Sequence, residues 1–136
     1  MTLIRKSTYD INERENTAMS YELGFWKYKK GVYLDPQTTY EQLCEGTPVT
    51  GIETLPVEKI LKKISIEFIT WERTGLYDFE SETEGSFQVT VNDQFVRIDC
   101  YEMDEEDMNV FIDIMLDYHC PLYDPQVPQR FDEDWD

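Results

Sequence analysis

The residues of this chain that could do chemistry are mostly carboxylates. Of its 136 residues, 29 are Asp or Glu and 12 are Lys or Arg, for a formal net charge of −17. The single histidine, His119, stands beside Cys120, and a Cys/His pair can form an activated nucleophile. Adjacent residues seldom aim at one reacting atom, and no Asn or Asp can be assigned to orient the imidazole. A histidine at a helix end, facing the last carbonyls, accounts better for His119. Asp104-Glu105-Glu106-Asp107 offers hard oxygen ligands in a row. A calcium loop of the EF-hand type needs acids at alternate positions and a central glycine, and this run has neither. Cys44, Cys100 and Cys120 form no CxxC pair and complete no zinc-ligand spacing. They read as buried free thiols of a reducing compartment. Carboxylate pairs suited to acid–base work abound, as they do in any acidic protein. No GxSxG, HExxH, GxGxxG or P-loop occurs. The expectation is a binding protein, not an enzyme, with no metal or cofactor.

The charge is concentrated in one half. Residues 76–136 carry two bases, Arg97 and Arg130, against eighteen acids. Residues 19–75 hold seven bases and eight acids, and residues 1–18 hold three of each. Phosphate binding requires Lys and Arg, so DNA, RNA and anionic membranes are disfavoured. A basic protein or cations are favoured.

Two groups of acids could form the binding surface. In a helix read from Glu105 to Tyr118, Glu105, Asn109, Asp113 and Asp117 follow at i+4 steps with Glu106 alongside, and no Lys or Arg offsets them. Like charges at this spacing cost roughly 0.2–0.5 kcal/mol per pair. The early acids suit the helix dipole, whereas Asp113 and Asp117 lie toward the wrong end. On the strands, Asp78, Glu80, Glu82 and Glu84, with Asp99 and Glu102, form the second group. The bland alternative for both is a solubilising surface.

These groups must be held by a fold, and periodicity outlines one. Residues 1–18 lack apolar periodicity and read as a dispensable extension, with a short helix at 10–18. Residues 19–131 read as one domain, and 132–136 as an acidic tail carrying Trp135. Ser20–Tyr28 is an aromatic-rich strand with Tyr21, Leu23 and Phe25 on one face. A short helix capped by Thr38 or Thr39 runs to Cys44, with Gly46 beyond it. Pro56–Phe68 is a helix with Val57, Ile60, Leu61, Ile64 and Phe68 in one stripe. Leu76–Ser81 alternates as a strand. Ser86–Val91 and Gln94–Tyr101 flank Asn92-Asp93 as a hairpin, which sets Val89 opposite Val96 and Phe87 opposite Ile98.

Asp104 caps the last helix, whose buried stripe is Met108, Phe111, Ile112 and Met115. Leu122–Pro125 is a short edge strand or a packed turn. The order β-α-α-β-β-β-α predicts an α+β fold: an antiparallel sheet of about four strands with two or three helices on one face and solvent on most of the other. Trp26 and Trp71 are assigned to the core, and Tyr101 and Tyr123 are further large anchors. No apolar run reaches membrane-spanning length. The start lacks a signal-peptide stretch, so a cytoplasmic location is expected.

Two stretches carry a family resemblance. Met19-Ser20-Tyr21-Glu22-Leu23-Gly24-Phe25-Trp26 and Cys120-Pro121-Leu122-Tyr123-Asp124-Pro125-Gln126 resemble the opening and closing motifs of small bacterial immunity proteins, which are encoded beside polymorphic or contact-dependent growth-inhibition toxins. Leu55-Pro56-Val57 and Ser86-Phe87-Gln88-Val89 fit the same plan, so the resemblance covers about residues 19–131. It implies a cytoplasmic neutraliser that binds its toxin, often a nuclease, one to one. It transfers no catalytic or ligand residue, and the motifs are expected to mark the fold and not the partner. The rival readings are a general acidic adaptor or nucleic-acid mimic, and a small enzyme of unknown class.

Overall fold

The computed structural model describes residues 20–131. The expected extension at 1–18 with its helix, and the tail at 132–136 with Trp135, lie outside the described residues. The described chain runs β1 Ser20–Phe25, α1 Pro36–Cys44, α2 Val57–Glu67, β2 Glu72–Arg73, β3 Asp78–Ser81, β4 Gly85–Asn92, β5 Phe95–Tyr101, α3 Glu105–Leu116, β6 Leu122–Asp124 and β7 Gln129–Arg130. The strands form one antiparallel sheet in the order β2-β3-β4-β5-β1-β6-β7. The α+β class and antiparallel pairing agree with the sequence reading. The sheet has seven strands, not about four. β6 is the short strand offered at Leu122–Pro125, and it lies between β1 and β7 and not at the edge. The additions β2 and β7 are two residues long, too short to carry a period-2 pattern.

The main core lies between the sheet and the helices α2 and α3. Ile60, Ile64 and Phe68 from the α2 stripe meet Met108, Phe111, Ile112 and Met115 of α3. Both sets pack on Tyr21, Leu23 and Phe25 of β1, Phe87 and Val89 of β4, and Val96 and Ile98 of β5. The Phe68 and Phe111 rings stack at 4.9 Å, and Phe79 and Phe87 at 4.7 Å. Asp104 caps α3 as expected, its side chain accepting from the Asp107 N–H at 2.9 Å. The cap of α1 is Asp35, which accepts from the Thr38 N–H at 2.9 Å, and not Thr38 or Thr39. Asp35-Pro36 is therefore a cap followed by a proline at the first helical position.

The hairpin register differs by two residues from the expected one. Val89 pairs with Ile98, Val91 with Val96 and Phe87 with Cys100, and the turn residues are Asp93 and Gln94. Asn92 is the last paired residue, and its side chain accepts from the Gln94 N–H at 2.9 Å. Gln94 is held in turn by the loop before α2: its amide accepts from Val49 N–H and donates to the Val49 and Ile52 carbonyls. A two-residue slip leaves every side chain on its intended face, so the apolar pattern tolerates both registers.

The second face of the sheet is more covered than expected. Trp26, Phe95 and Tyr123 alternate with main-core neighbours and point away from them. They gather Tyr40 and Leu43 of α1, with Val49 and Ile52, into a second core. Glycine at position 24 makes this packing possible, since a Cβ there would stand 2.8 Å from the Tyr40 ring. Among the described residues, the β2–β5 part of this face is left open.

The two motifs behind the family resemblance touch each other. Tyr21 donates its hydroxyl to Asp124 at 2.9 Å, and the Gln126 N–H donates to the same carboxylate. The Gln126 side chain bridges back to the backbone of Glu22, accepting from its N–H at 2.8 Å and donating to its carbonyl at 3.1 Å. The motifs thus form the β1–β6 seam.

Candidate functional site

Outward-pointing residues of β2–β5 and β1 form rows across the open face. One row reads Glu72, Glu80, Ser86, Tyr101 and Ser20, each directly opposite the next. The adjacent row reads Asp78, Gln88, Asp99 and Glu22. Three of the sequence-predicted residues, Asp78, Glu80 and Asp99, therefore share one surface. Glu72 sits directly across from Glu80, a like-charge cross-strand pair that works against the sheet. Neither carboxylate has an ion-pair partner among the described residues.

Beside this pair is a concavity of about 840 Å³ lined by Glu72, Glu80, Glu82, Glu102 and Tyr101, among others. Tyr101 in this lining is 43% exposed. Two of the lining residues, Gly85 and Glu102, lie in a tight bend. Gly85 takes φ +103, and a Cβ there would lie 2.4 Å from the Tyr101 carbonyl, while Glu102 itself takes φ +57.

Toward α1 the face becomes a closed polar network. Arg97 reaches Asp99 at 3.1 Å and Glu22 at 3.8 Å. Tyr40 donates its hydroxyl to Glu22. Burial raises the Asp99 carboxyl and is opposed by the Arg97 hydrogen bond and charge. Burial also works against the Arg97 cation, but Asp99, with Tyr40 and Cys44, more than offsets it and raises the guanidinium above its ordinary value. Asp99 is thus paired with Arg97, whereas Asp78, Glu72 and Glu80 make no ion pair among the described residues.

The helical candidates lie on α3, across the main core from this face. Glu106 and Asp117 are exposed, while Glu105, Asn109 and Asp113 are partly buried. Those last three already make interactions within the chain. The strand and helix groups are not one surface. They adjoin at an edge, where Glu84 of the β3–β4 turn meets Asp107 in the first turn of α3. Burial, then the charges of Asp104 and Glu84, push the Asp107 carboxyl up to about 6.

His119 and Cys120 make no nucleophile here. His119 is exposed at the end of α3 with φ +61. Its backbone N–H, and not its ring, donates to the Leu116 carbonyl at 3.0 Å. Cys120 is buried and donates to the Tyr118 carbonyl, and burial pushes its thiol up to about 12. Cys100 is buried as expected, but Cys44 is exposed and accepts from Arg97 at 3.5 Å.

Among the described residues, no three His, Cys, Asp or Glu side chains are grouped to hold a metal ion. No helix among them is long and apolar enough to cross a membrane. Sequence reasoning missed Glu72 and Glu22 as members of the face. A two-residue β2 gave no signal for Glu72. Glu22 was legible in principle, since it alternates with Tyr21 and Leu23. Family models, curated proteins and solved structures give no match to the chain.

Proposed function

We propose that this chain is an immunity-type protein that neutralises a basic toxin domain in the cytoplasm, using the open β2–β5 sheet face as its contact surface. The observation that carries the reading is the Glu72–Glu80 pair. Two carboxylates face each other across strands beside further acids, and neither has an ion-pair partner among the described residues. Folding alone disfavours this arrangement, and a partner presenting Lys and Arg relieves it.

A nuclease active site lined with phosphate-binding cations is one such partner, because an acidic face can occupy it in place of the substrate. Charge complementarity steers association toward ~10⁸–10⁹ M⁻¹s⁻¹ at low salt. Tyr101, an exposed aromatic among the acids that line the concavity, supplies a contact of the kind that dominates interface energies. The strand face is preferred to α3 because three of the α3 candidates are already engaged within the chain.

Co-expression with the gene immediately upstream, scored for rescue of growth, tests the reading. Rescue by the wild-type chain, weakened by Glu72→Gln with Glu80→Gln, is the expected result. If the neighbouring product is harmless, or rescue persists in the double variant, the reading fails.

A further inference from the structure

Helix α3 carries a row of polar and acidic side chains that its own residues do not balance. Glu105, Asn109 and Asp113 follow one another at i+4 beside the core stripe of Met108, Phe111, Ile112 and Met115. The helix contains no Lys or Arg. All three residues of the row are nonetheless partly buried, and Asn109 Oδ1 is buried outright. All three are also engaged within the chain. Glu106 and Asp117, on the same helix, stay exposed. The row is thus a covered part of the polar side of α3.

Several described cations are taken up elsewhere. Lys27 pairs with Glu53, Lys63 with Glu67, and Arg97 with Glu22 and Asp99. Residues 132–136 hold four acids and no base. The nineteen residues before Ser20 hold Arg5, Lys6 and Arg14.

Position favours the same segment. Ser20 pairs with Tyr101, and α3 begins four residues later at Glu105. The chain therefore enters β1 close to the first turn of α3. Arg14 is six residues from Ser20, a reach of up to roughly 20 Å. In the helix expected over 10–18, Ile11, Arg14 and Ala18 share one face, which sets a cation between two apolar side chains. An antiparallel course beside α3 brings that cation to Glu105.

We infer that residues 1–18 dock along this flank of α3, with Arg14 against Glu105. The acidic row calls for a cation, and of the two chain ends outside the described residues only the first carries any. Residues 1–18 are then part of the fold and not the dispensable extension expected from the sequence. They cover the row on α3 and not the open β2–β5 face. The inference does not depend on the proposed function, because both members of the contact belong to this chain.

The test is NMR of the full chain. Nuclear Overhauser contacts between residues 10–18 and residues 105–113 are expected, unchanged on dilution. Arg14→Glu should lower the hydrogen-exchange protection of the amides at 10–18 roughly fivefold, the upper range for one exposed ion pair. The charge swap Arg14→Glu with Glu105→Arg should recover most of that loss, whereas Asp78→Asn on the sheet face should change nothing. Wild-type amide positions in β4 and β5 confirm that each variant is folded. No contacts between the two segments, contacts with the sheet face in their place, or contacts that fade on dilution and so belong to a second copy would each overturn the inference. So would unchanged protection in Arg14→Glu, or a swap that recovers nothing.

Discussion

Asp124 is fully buried and accepts hydrogen bonds from the Tyr21 hydroxyl and the Gln126 backbone. A buried carboxylate that loses a donor bears the full desolvation cost. Tyr21→Phe should therefore cost about 1–3 kcal/mol in urea denaturation without touching the acidic face. Asp107 bears on stability through pH. Its folded carboxyl is raised to about 6, above the ordinary unfolded value of ~3.9, so the fold favours its protonated form. Its contribution is fully present below the unfolded value and is lost as pH rises through about 6. Asp107→Asn should match wild type near pH 4 and exceed it at pH 7 by a few tenths of a kcal/mol, a modest figure because the site is partly solvated. Denaturation at the two pH values measures the difference, and a gap that widens toward low pH would contradict it.

The long elements were legible because each carries its own periodicity. The stripe Ile60, Ile64, Phe68 and the stripe Met108, Phe111, Ile112, Met115 are both in the main core. What escaped depends on contacts distant in sequence. The β4–β5 turn is set at Asp93-Gln94 by the hold of Gln94 on Val49 and Ile52, which no local pattern announces. The second core exists because α1 folds onto Gly24, where the sequence pattern suggested an open polar face. The strand acids Asp78 and Glu80 were legible as one outward set, but Glu72 becomes their neighbour only through a two-residue β2. Gly24→Ala tests the docking of α1. Its Cβ would lie 2.8 Å from the Tyr40 ring, whose hydroxyl is tied to Glu22, so the ring cannot move away without breaking that bond. A loss of about 1–3 kcal/mol is expected, with near-ultraviolet dichroism of the aromatic cluster altered. An unchanged melting curve would mean that α1 packs loosely.

At the scale of the whole molecule, acids among the described residues line the β2–β5 face and stand exposed on the outer side of α3. Two acidic surfaces then compete for the role of contact face, and stability and binding separate them. Replacing either member of the Glu72–Glu80 pair removes a like-charge contact and should raise stability by roughly 0.2–1 kcal/mol. Asp113→Asn with Asp117→Asn should leave stability unchanged or raised by a few tenths of a kcal/mol. The most direct measurement is the stopped-flow association rate with the product of the neighbouring gene, the toxin in the proposed function, at low and at high salt. Wild type, the Glu72→Gln/Glu80→Gln variant and the Asp113→Asn/Asp117→Asn variant are compared. The expected result is a wild-type rate that falls as salt rises past the Debye regime, a slower rate with a shallower salt dependence in the Glu72/Glu80 variant, and a near-wild-type rate in the Asp113/Asp117 variant. Equal rates in wild type and the Glu72/Glu80 variant, with the loss confined to the Asp113/Asp117 variant, would contradict the assignment of the open sheet face.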